Sequence, residues 1–210
     1  MKITAINYGR SVLPESMVFK GGDKEKTRPI TFTVYLIQKR GRSILVDAGC
    51  ETMPGFEMTD FCGSVKALER LGVAPEDITD LIITHAHHDH IECAKYYKNA
   101  VVYIQQDELE KGSRYLGESK SITAFDDEYE ICKNVTAIKI GGHSNGSCIV
   151  EIKCPDKTYI ISGDECYLRE CIDKKIPTGA SKNPEKSKAF IEKYCDEKYK
   201  ILYCHDSDNN

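Results

Sequence analysis

Short apolar runs separated by polar turns recur along the chain and predict a series of β-strands. Each run is rich in β-branched and aromatic residues, which favour extended structure. Residues 112–130 are polar without a clear period, and no element is predicted there. The predicted strands are residues 31–37, 43–46, 81–83, 101–104, 135–140, 148–152, 158–161 and 199–203.

Apolar positions spaced three or four apart predict helices between several of these strands. In residues 64–71 these positions share one face, with Ser64 as the expected N-cap and Gly72 as the stop signal. Alternating strands and helices are typical of the α/β class, and no change of composition marks a linker. We therefore expect one domain over residues 1–210. Further helices are predicted over 91–97, from 107 onward and over 183–195.

The composition is that of a globular protein and argues against several classes. The 29 Lys and Arg residues and 33 Asp and Glu residues give a net charge of −4, so the chain lacks the basic surface of nucleic-acid-binding proteins. No apolar run approaches the roughly 20 residues that cross a bilayer. The N-terminus also lacks the apolar segment of a signal peptide. We expect a cytoplasmic protein with no nucleic acid and no membrane as partner; the sequence does not predict the oligomeric state.

Ten cysteines are scattered along the chain, and no two form a Cys-x-x-Cys pair. Without a secretory signal, reduced thiols are expected. Two interpretations stay open for those near the polar strand ends described next: apolar packing, or a thiol-rich environment that makes the protein sensitive to oxygen. These cysteines are Cys50, Cys93, Cys148, Cys166 and Cys204.

Four of the six histidines lie within residues 85–90, directly after a predicted strand. Together with Asp89 they form an HxHxDH motif. Imidazole and carboxylate groups suit Zn, Fe, Ni or Mn. Four donors so close along the backbone cannot all reach one tetrahedral ion. The motif therefore predicts two ions, one facing His85 and His87 and the other facing Asp89 and His90.

Polar residues also follow other predicted strands. Asp47, Asp164 and His205 each come directly after or close to a strand end, and His143 lies in a glycine-rich loop over 141–146. Strand ends that share one edge of a sheet can converge on one site. His143 and His205 would then supply one more imidazole each, and Asp164 a carboxylate that can bridge two ions.

In this order the motifs resemble the metallo-β-lactamase superfamily, whose signature is HxHxDH followed by a distant His, an Asp and a final His. The resemblance covers nearly the whole chain and implies an α/β fold, a four-layer αβ/βα sandwich. The segments that carry it are ILVDAG at 44–49, LIITHAHHDH at 81–90, GHSNGS at 142–147, SGD at 162–164 and CHD at 204–206.

The resemblance also implies a ligand set for two divalent ions, expected to be Zn, with Fe, Mn or Ni as alternatives. Asp47 resembles the carboxylate that orients the histidine loop. His88 falls outside the set, either as a wall residue or as a contact for the substrate. The implied ligands are His85, His87 and His143 for one ion, Asp89, His90 and His205 for the other, and Asp164 as the bridge.

Among the branches of the superfamily, the sequence is most similar to N-acyl-homoserine lactonases. Tyr167 follows Asp164 by three residues, as in those enzymes, whereas class B β-lactamases lack this bridging Asp and flavodiiron reductases have Glu at the position of His87. The family's DHAGG-like continuation is replaced by Ile91, Glu92 and Cys93 after the motif, which leaves the acyl preference open.

The resemblance implies a metal-dependent hydrolase with a small lactone or ester as substrate. A hydroxide that bridges the two ions would attack the carbonyl, Tyr167 would stabilise the oxyanion, and Asp89 would carry a proton to the leaving alkoxide. Two alternatives stay open: a thioester hydrolase of the glyoxalase II type, and a metal-binding protein without catalytic activity.

Overall fold

The computed structural model describes residues 1–117 and 121–207, and these form two compact units. Within these residues, the first unit comprises 1–10 and 32–126, and the second comprises 11–31 and 127–207. The long strands β1 (Lys2–Pro14) and β2 (Thr27–Lys39) contribute residues to both units.

The first sheet has six strands in the order β1-β2-β3-β4-β5-β6. Strand β3 is antiparallel to β2, while β3, β4, β5 and β6 are parallel to one another. Parallel neighbours need crossover connections, which here include helices. The remaining elements of this unit are β3 (Arg42–Val46), α2 (Ser64–Glu69), β4 (Asp80–Ile83), α3 (His88–Ile91), β5 (Val101–Gln105), α4 (Gln106–Leu116) and β6 (Ser121–Phe125), with 3₁₀ segments at Pro75–Asp77 and Glu92–Tyr96.

The second sheet has five strands in the order β11-β10-β9-β8-β7. Strands β10 and β11 are parallel, and the other neighbours are antiparallel. Helix α6 buries Phe190, Ile191 and Tyr194. The elements of this unit are α1 (Glu15–Val18), β7 (Glu128–Cys132), β8 (Val135–Lys139), β9 (Cys148–Lys153), β10 (Thr158–Ile161), a 3₁₀ segment at Gly163–Glu165, α5 (Arg169–Lys174), α6 (Pro184–Tyr194) and β11 (Tyr199–Leu202).

The burial of the central strands β3 and β4 explains why apolar runs in the sequence predicted these strands correctly. All four residues of β4 are buried, as are the last three of β3. Strands buried on both faces read as continuous apolar runs, which is what 43–46 and 81–83 show in sequence. Each predicted strand is present, whereas β1, β6 and β7 were not predicted as separate strands.

The N-terminus of α2 differs from the sequence prediction. Gly63, with φ of +79°, precedes the helix as its N-cap, and Ser64 is the first helical residue. The prediction that Ser64 is the N-cap is wrong. Its hydroxyl instead donates to the carbonyl oxygen of Ala48 at 2.6 Å. The two segments approach so closely that a Cβ on Gly49 would lie 2.4 Å from the Ser64 Cβ, so Gly49 has to be glycine.

Among the residues that the structure describes, none of the helices has both the length and the apolar character needed to cross a bilayer.

Candidate metal centre

The histidine-rich motif begins where β4 ends and continues into α3. His85 and His87 lie on the extended segment before the helix, whereas Asp89 and His90 lie within its single turn. The ligand atoms fall into two pairs accordingly. Those of His85 and His87 lie within 4.8 Å of each other, and so do those of Asp89 and His90.

The first pair consists of two imidazole rings in contact. His85 Nε2 lies 3.0 Å from His87 Nδ1, and the ring centroids are 4.5 Å apart. On its other side, His85 Nδ1 lies 3.1 Å from the Thr84 hydroxyl oxygen. Because that hydroxyl gives its proton to Asp47, it accepts the hydrogen bond from His85 Nδ1. The Nε2 lone pair of a neutral His85 is thereby directed toward His87, where a cation can share it.

Asp47 organises the motif from the end of β3. It is buried with φ of +63°, a backbone conformation that aspartate tolerates better than most residues. Its carboxylate accepts hydrogen bonds from the Thr84 backbone amide at 2.8 Å, the Thr84 hydroxyl at 2.9 Å and His90 Nδ1 at 2.7 Å. With the His90 Nδ1 proton held by Asp47, Nε2 faces Asp89 Oδ2 at 3.4 Å. A carboxylate behind an imidazole is the usual support of a metal-binding histidine.

Two further side chains hold the backbone of the motif in place. The buried Tyr8 hydroxyl donates to the Asp89 carbonyl oxygen at 2.8 Å. The buried Glu108 carboxylate, on α4, accepts from the Ala86 backbone amide at 3.0 Å. Neither residue was singled out from sequence, because each contacts the motif through its backbone from a distant position in the chain.

His88 contacts the protein's own loop and helix. Its Nε2 lies 2.8 Å from the Thr52 carbonyl oxygen, and since a carbonyl only accepts, Nε2 donates. Its Nδ1 lies 3.4 Å from the Tyr115 hydroxyl. Both ring nitrogens have partners, which favours the wall position over a contact with the substrate.

The second unit has its own cluster of ligand-type side chains. Asp164 lies between two imidazoles, with Oδ1 at 3.0 Å from His205 Nε2 and Oδ2 at 3.3 Å from His143 Nε2. All three side chains are buried. They come from the ends of β10 and β11 and from the loop between β8 and β9. The strand-end pattern seen in sequence therefore does converge here.

The protonation state of His205 indicates that this cluster fits a cation. His205 Nδ1 lies 2.8 Å from the Thr31 carbonyl oxygen, which only accepts, so Nδ1 carries a proton. In the neutral ring, Nε2 then has a lone pair directed at Asp164 Oδ1, 3.0 Å away. Two lone pairs at this distance repel each other unless a cation or an added proton lies between them. The donor set of nitrogen and oxygen atoms suits a divalent transition metal.

Glu165 ties the His143 loop to the segment that contains Asp164. Its buried carboxylate accepts hydrogen bonds from the backbone amides of Gly142 at 3.0 Å and His143 at 3.1 Å. The hydroxyls of Ser147 and Ser187 also donate to it, at 2.5 and 3.0 Å. Burial raises the pKa of the Glu165 carboxyl, and these hydrogen bonds act in the opposite direction.

The fit around this carboxylate leaves no room for a side chain at Gly142. A Cβ there would lie 2.3 Å from Glu165 Oε2 and 2.2 Å from the Ser187 hydroxyl. Sequence reasoning missed Glu165, although an acidic residue directly after the SGD segment was the available signal.

Tyr167 lies beside two of the predicted ligands. Its buried ring is 4.8 Å from the His205 ring and 6.0 Å from the His143 ring, measured between centroids. The position predicted from the spacing after Asp164 thus lies within the ligand cluster of the second unit.

The five cysteines near the predicted site are all buried. Burial raises the pKa of the Cys50 thiol to about 12, and it also raises the pKa values of Cys93 and Cys166. Protonated, buried thiols are poor nucleophiles. Burial of the five side chains agrees with apolar packing, and sensitivity to oxygen stays a prediction that peroxide treatment of metal-loaded protein tests.

The sequence from residue 32 to residue 204 matches the family model of the metallo-beta-lactamase superfamily. This match covers well over half of the 210 residues, and the chain belongs to that superfamily. The predicted family is therefore confirmed, and the histidine and aspartate clusters described above are of the kind that a dinuclear metal site uses.

Among curated relatives, a probable metallo-hydrolase of Methanocaldococcus jannaschii is 33% identical over 113 residues, which is 54% of this chain. The chain spans about half the length of that relative, 49%. An N-acyl homoserine lactonase of Bacillus thuringiensis is 24% identical, with 98% of this chain and 93% of the relative covered.

A solved structure of a B. thuringiensis AiiA mutant with N-decanoyl-L-homoserine at its active site superposes with a TM-score of 0.85. The two chains are 23% identical, with 99% of this chain and 94% of that chain covered. The likeness confirms the predicted metallo-β-lactamase fold, which here consists of two mixed sheets with helices.

Proposed function

We propose that this protein is a dinuclear metal-dependent hydrolase that opens N-acyl-homoserine lactones or related small esters. The observation that carries the proposal is the set of imidazole nitrogens whose lone pairs are directed by fixed hydrogen bonds, as at His85, His90 and His205. Membership of the superfamily and the lactonases among its relatives support it.

The two ions would be held by imidazole and carboxylate side chains. Nitrogen and oxygen ligands suit zinc, and iron, manganese and nickel share the same preferences. We also propose that zinc is the natural metal and that the protein is cytoplasmic. The residues that would hold the ions are His85, His87 and His143 for one, Asp89, His90 and His205 for the other, and Asp164 as the bridge.

When bound, two such ions would supply hydroxide from water at neutral pH and would polarise the substrate carbonyl. The Tyr167 hydroxyl would donate to the carbonyl oxygen as negative charge develops there. Asp89 would pass a proton to the leaving alkoxide. Asp47 would keep His90 in the tautomer that leaves Nε2 available. No serine or cysteine nucleophile is required.

The position of Tyr167 supports hydrolysis of an acyl substrate. Its ring lies 4.8 Å from that of His205, one of the residues that would hold the second ion. A hydroxyl that donates to an oxyanion accelerates acyl transfer to water. The relatives that share this fold include lactonases.

The test is a substrate panel with metal-loaded protein: an N-acyl homoserine lactone, a simple alkyl ester and an acyl thioester. We expect the highest kcat/KM for the lactone, and loss of turnover in His205→Ala. The matched control is Glu192→Gln, which changes an exposed acid on α6. A preference for the thioester, or no turnover on any substrate with both ions bound, would contradict the proposal.

A further inference from the structure

Asp206 directly follows the proposed ligand His205 in the chain, and no role proposed above involves it. The residue is buried. Its carboxylate oxygen Oδ2 accepts a hydrogen bond from the backbone amide of Arg169 at 2.7 Å. The two residues are 37 positions apart, so this contact joins the segment after β11 to the beginning of α5.

The contact supplies α5 with an acceptor that its own N-terminus lacks. The first amides of a helix have no acceptor within the helix, and a polar N-cap side chain normally provides one. Here the N-cap is Leu168, whose side chain has no oxygen. Asp206 accepts from the first residue of the helix instead, and its carboxylate therefore fixes where α5 begins.

The backbone around Asp206 is held by Thr31, which is also buried. The Thr31 hydroxyl donates to the Asp206 carbonyl oxygen at 2.8 Å, and the Thr31 amide donates to the His205 carbonyl oxygen at 3.0 Å. The Thr31 carbonyl oxygen accepts from His205 Nδ1 at 2.8 Å. One residue thus holds both His205 and Asp206, and the position of the Asp206 carboxylate is tied to that of the His205 ring.

Tyr167 lies between two anchored points of the backbone. Arg169, whose amide binds Asp206, follows it by two residues. On the other side, the hydroxyl of the buried Ser162 lies 3.1 Å from the carbonyl oxygen directly before Tyr167. The Tyr167 ring meets the His205 ring edge-on, with an interplanar angle of 61°. The backbone on both sides of Tyr167 is therefore fixed by residues that follow the ends of β10 and β11.

We infer that Asp206 is a positioning residue for Tyr167, because its carboxylate holds the beginning of α5 and keeps the tyrosine ring against His205. The inference rests on the proposed function, in which Tyr167 donates to the substrate carbonyl oxygen. Asp206 itself touches neither substrate nor metal in that function. A displacement of about 1 Å can lower a rate about a hundredfold, so the placement of the Tyr167 hydroxyl matters for turnover.

The first measurement follows Tyr167 by NMR in zinc-loaded protein with ¹³C-labelled tyrosine rings. Its signal is identified as the one missing from the spectrum of Tyr167→Phe. We expect Asp206→Ala to shift this signal and to speed hydrogen exchange of the Arg169 amide about tenfold or more, because that amide loses its acceptor. Asp206→Asn keeps an oxygen that can accept, and it should resemble the wild type in both measurements.

The second measurement is a double-mutant cycle on kcat for an N-acyl homoserine lactone. Asp206→Ala should lower kcat about tenfold, with the zinc content unchanged because the bond between His205 Nδ1 and Thr31 is kept. In the Tyr167→Phe background the same change should lower kcat less than about twofold, since the hydroxyl that Asp206 positions is already absent. A residue that only stabilises the fold would lower kcat by the same factor in both backgrounds.

The matched control is Asp173→Ala, which removes an exposed acid from the same helix and should behave like the wild type throughout. Two outcomes would overturn the inference. One is a Tyr167 signal and an Arg169 exchange rate that do not change in Asp206→Ala, and the other is an equal effect of Asp206→Ala on kcat in both backgrounds. If the wild type turns over no substrate with both ions bound, the proposed function fails, and the Tyr167 signal still decides whether Asp206 positions the ring.

Discussion

The backbone amide of His143 donates a hydrogen bond to the buried carboxylate of Glu165 over 3.1 Å. Glu165 directly follows the predicted ligand Asp164 in the chain. Its carboxylate therefore holds the loop that contains a second predicted ligand, His143. Gly142, Ser147 and Ser187 donate to the same carboxylate. The geometry of the second ligand cluster thus depends on a residue that binds no metal itself.

Replacing Glu165 with Ala should lower both metal affinity and stability. Four donors would lose their buried acceptor, and an unsatisfied buried donor costs about 1–3 kcal/mol. We expect the free energy of unfolding to fall by at least about 3 kcal/mol in denaturant titrations. Glu165→Gln keeps one acceptor oxygen and should retain more metal than Glu165→Ala. Equal metal content in Glu165→Ala and the Glu192→Ala control would show that Glu165 has no positioning role.

Replacing Asp47 with Ala should weaken metal binding without removing a ligand. Asp47 holds the His90 Nδ1 proton at 2.7 Å and the Thr84 amide at 2.8 Å. Loss of such support lowers metal affinity about 10- to 100-fold in comparable sites. A titration against a competing chelator measures this directly. An unchanged affinity would mean that the His90 ring is oriented by other contacts.

Replacing Tyr167 with Phe should lower kcat for lactone opening about tenfold or more, with metal content unchanged. The ring would keep its contacts with His205 and His143, and only the hydroxyl would be lost. The KM should change less than kcat, because the hydroxyl acts on charge that develops during the reaction. A kcat equal to that of the wild type would remove Tyr167 from the mechanism.

Cys50 should resist alkylation at moderate pH. Burial raises its pKa from the ordinary value of 9.0 to about 12, so the reactive thiolate becomes populated only as pH rises toward 12. At pH 8 this lowers the thiolate fraction about a thousandfold. Treatment of the native protein with iodoacetamide and peptide mass spectrometry should find the exposed Cys195 labelled and Cys50 unlabelled. Rapid labelling of Cys50 at pH 8 would show that the site opens or that its thiol is ionised.

Features encoded locally could be predicted from the sequence. The strands before Asp47, His85, Asp164 and His205 are short segments rich in apolar residues and are followed by polar residues, and the structure places each of these polar residues just after a strand end. The helix after Asn183 also begins as predicted, because the Asn183 side chain accepts from the Lys186 amide.

Features that depend on distant partners could not be predicted. Strand β6 exposes three of its five residues and β7 also exposes three, so neither has a clear apolar pattern. Ser64 does not cap its helix, because its hydroxyl donates to the carbonyl oxygen of Ala48, sixteen residues earlier in the chain. The Glu108 and Glu165 carboxylates bind backbone amides 22 residues away, and the sequence does not identify the partner of either carboxylate.

The central claim is that seven side chains bind a pair of neighbouring metal ions. Its most direct test is elemental analysis of the purified protein by mass spectrometry after incubation with excess zinc and removal of unbound metal. The account predicts two zinc ions per chain, and a lower content in Asp164→Ala, which would lose the bridge. A wild-type protein that retains at most one ion per chain would contradict it.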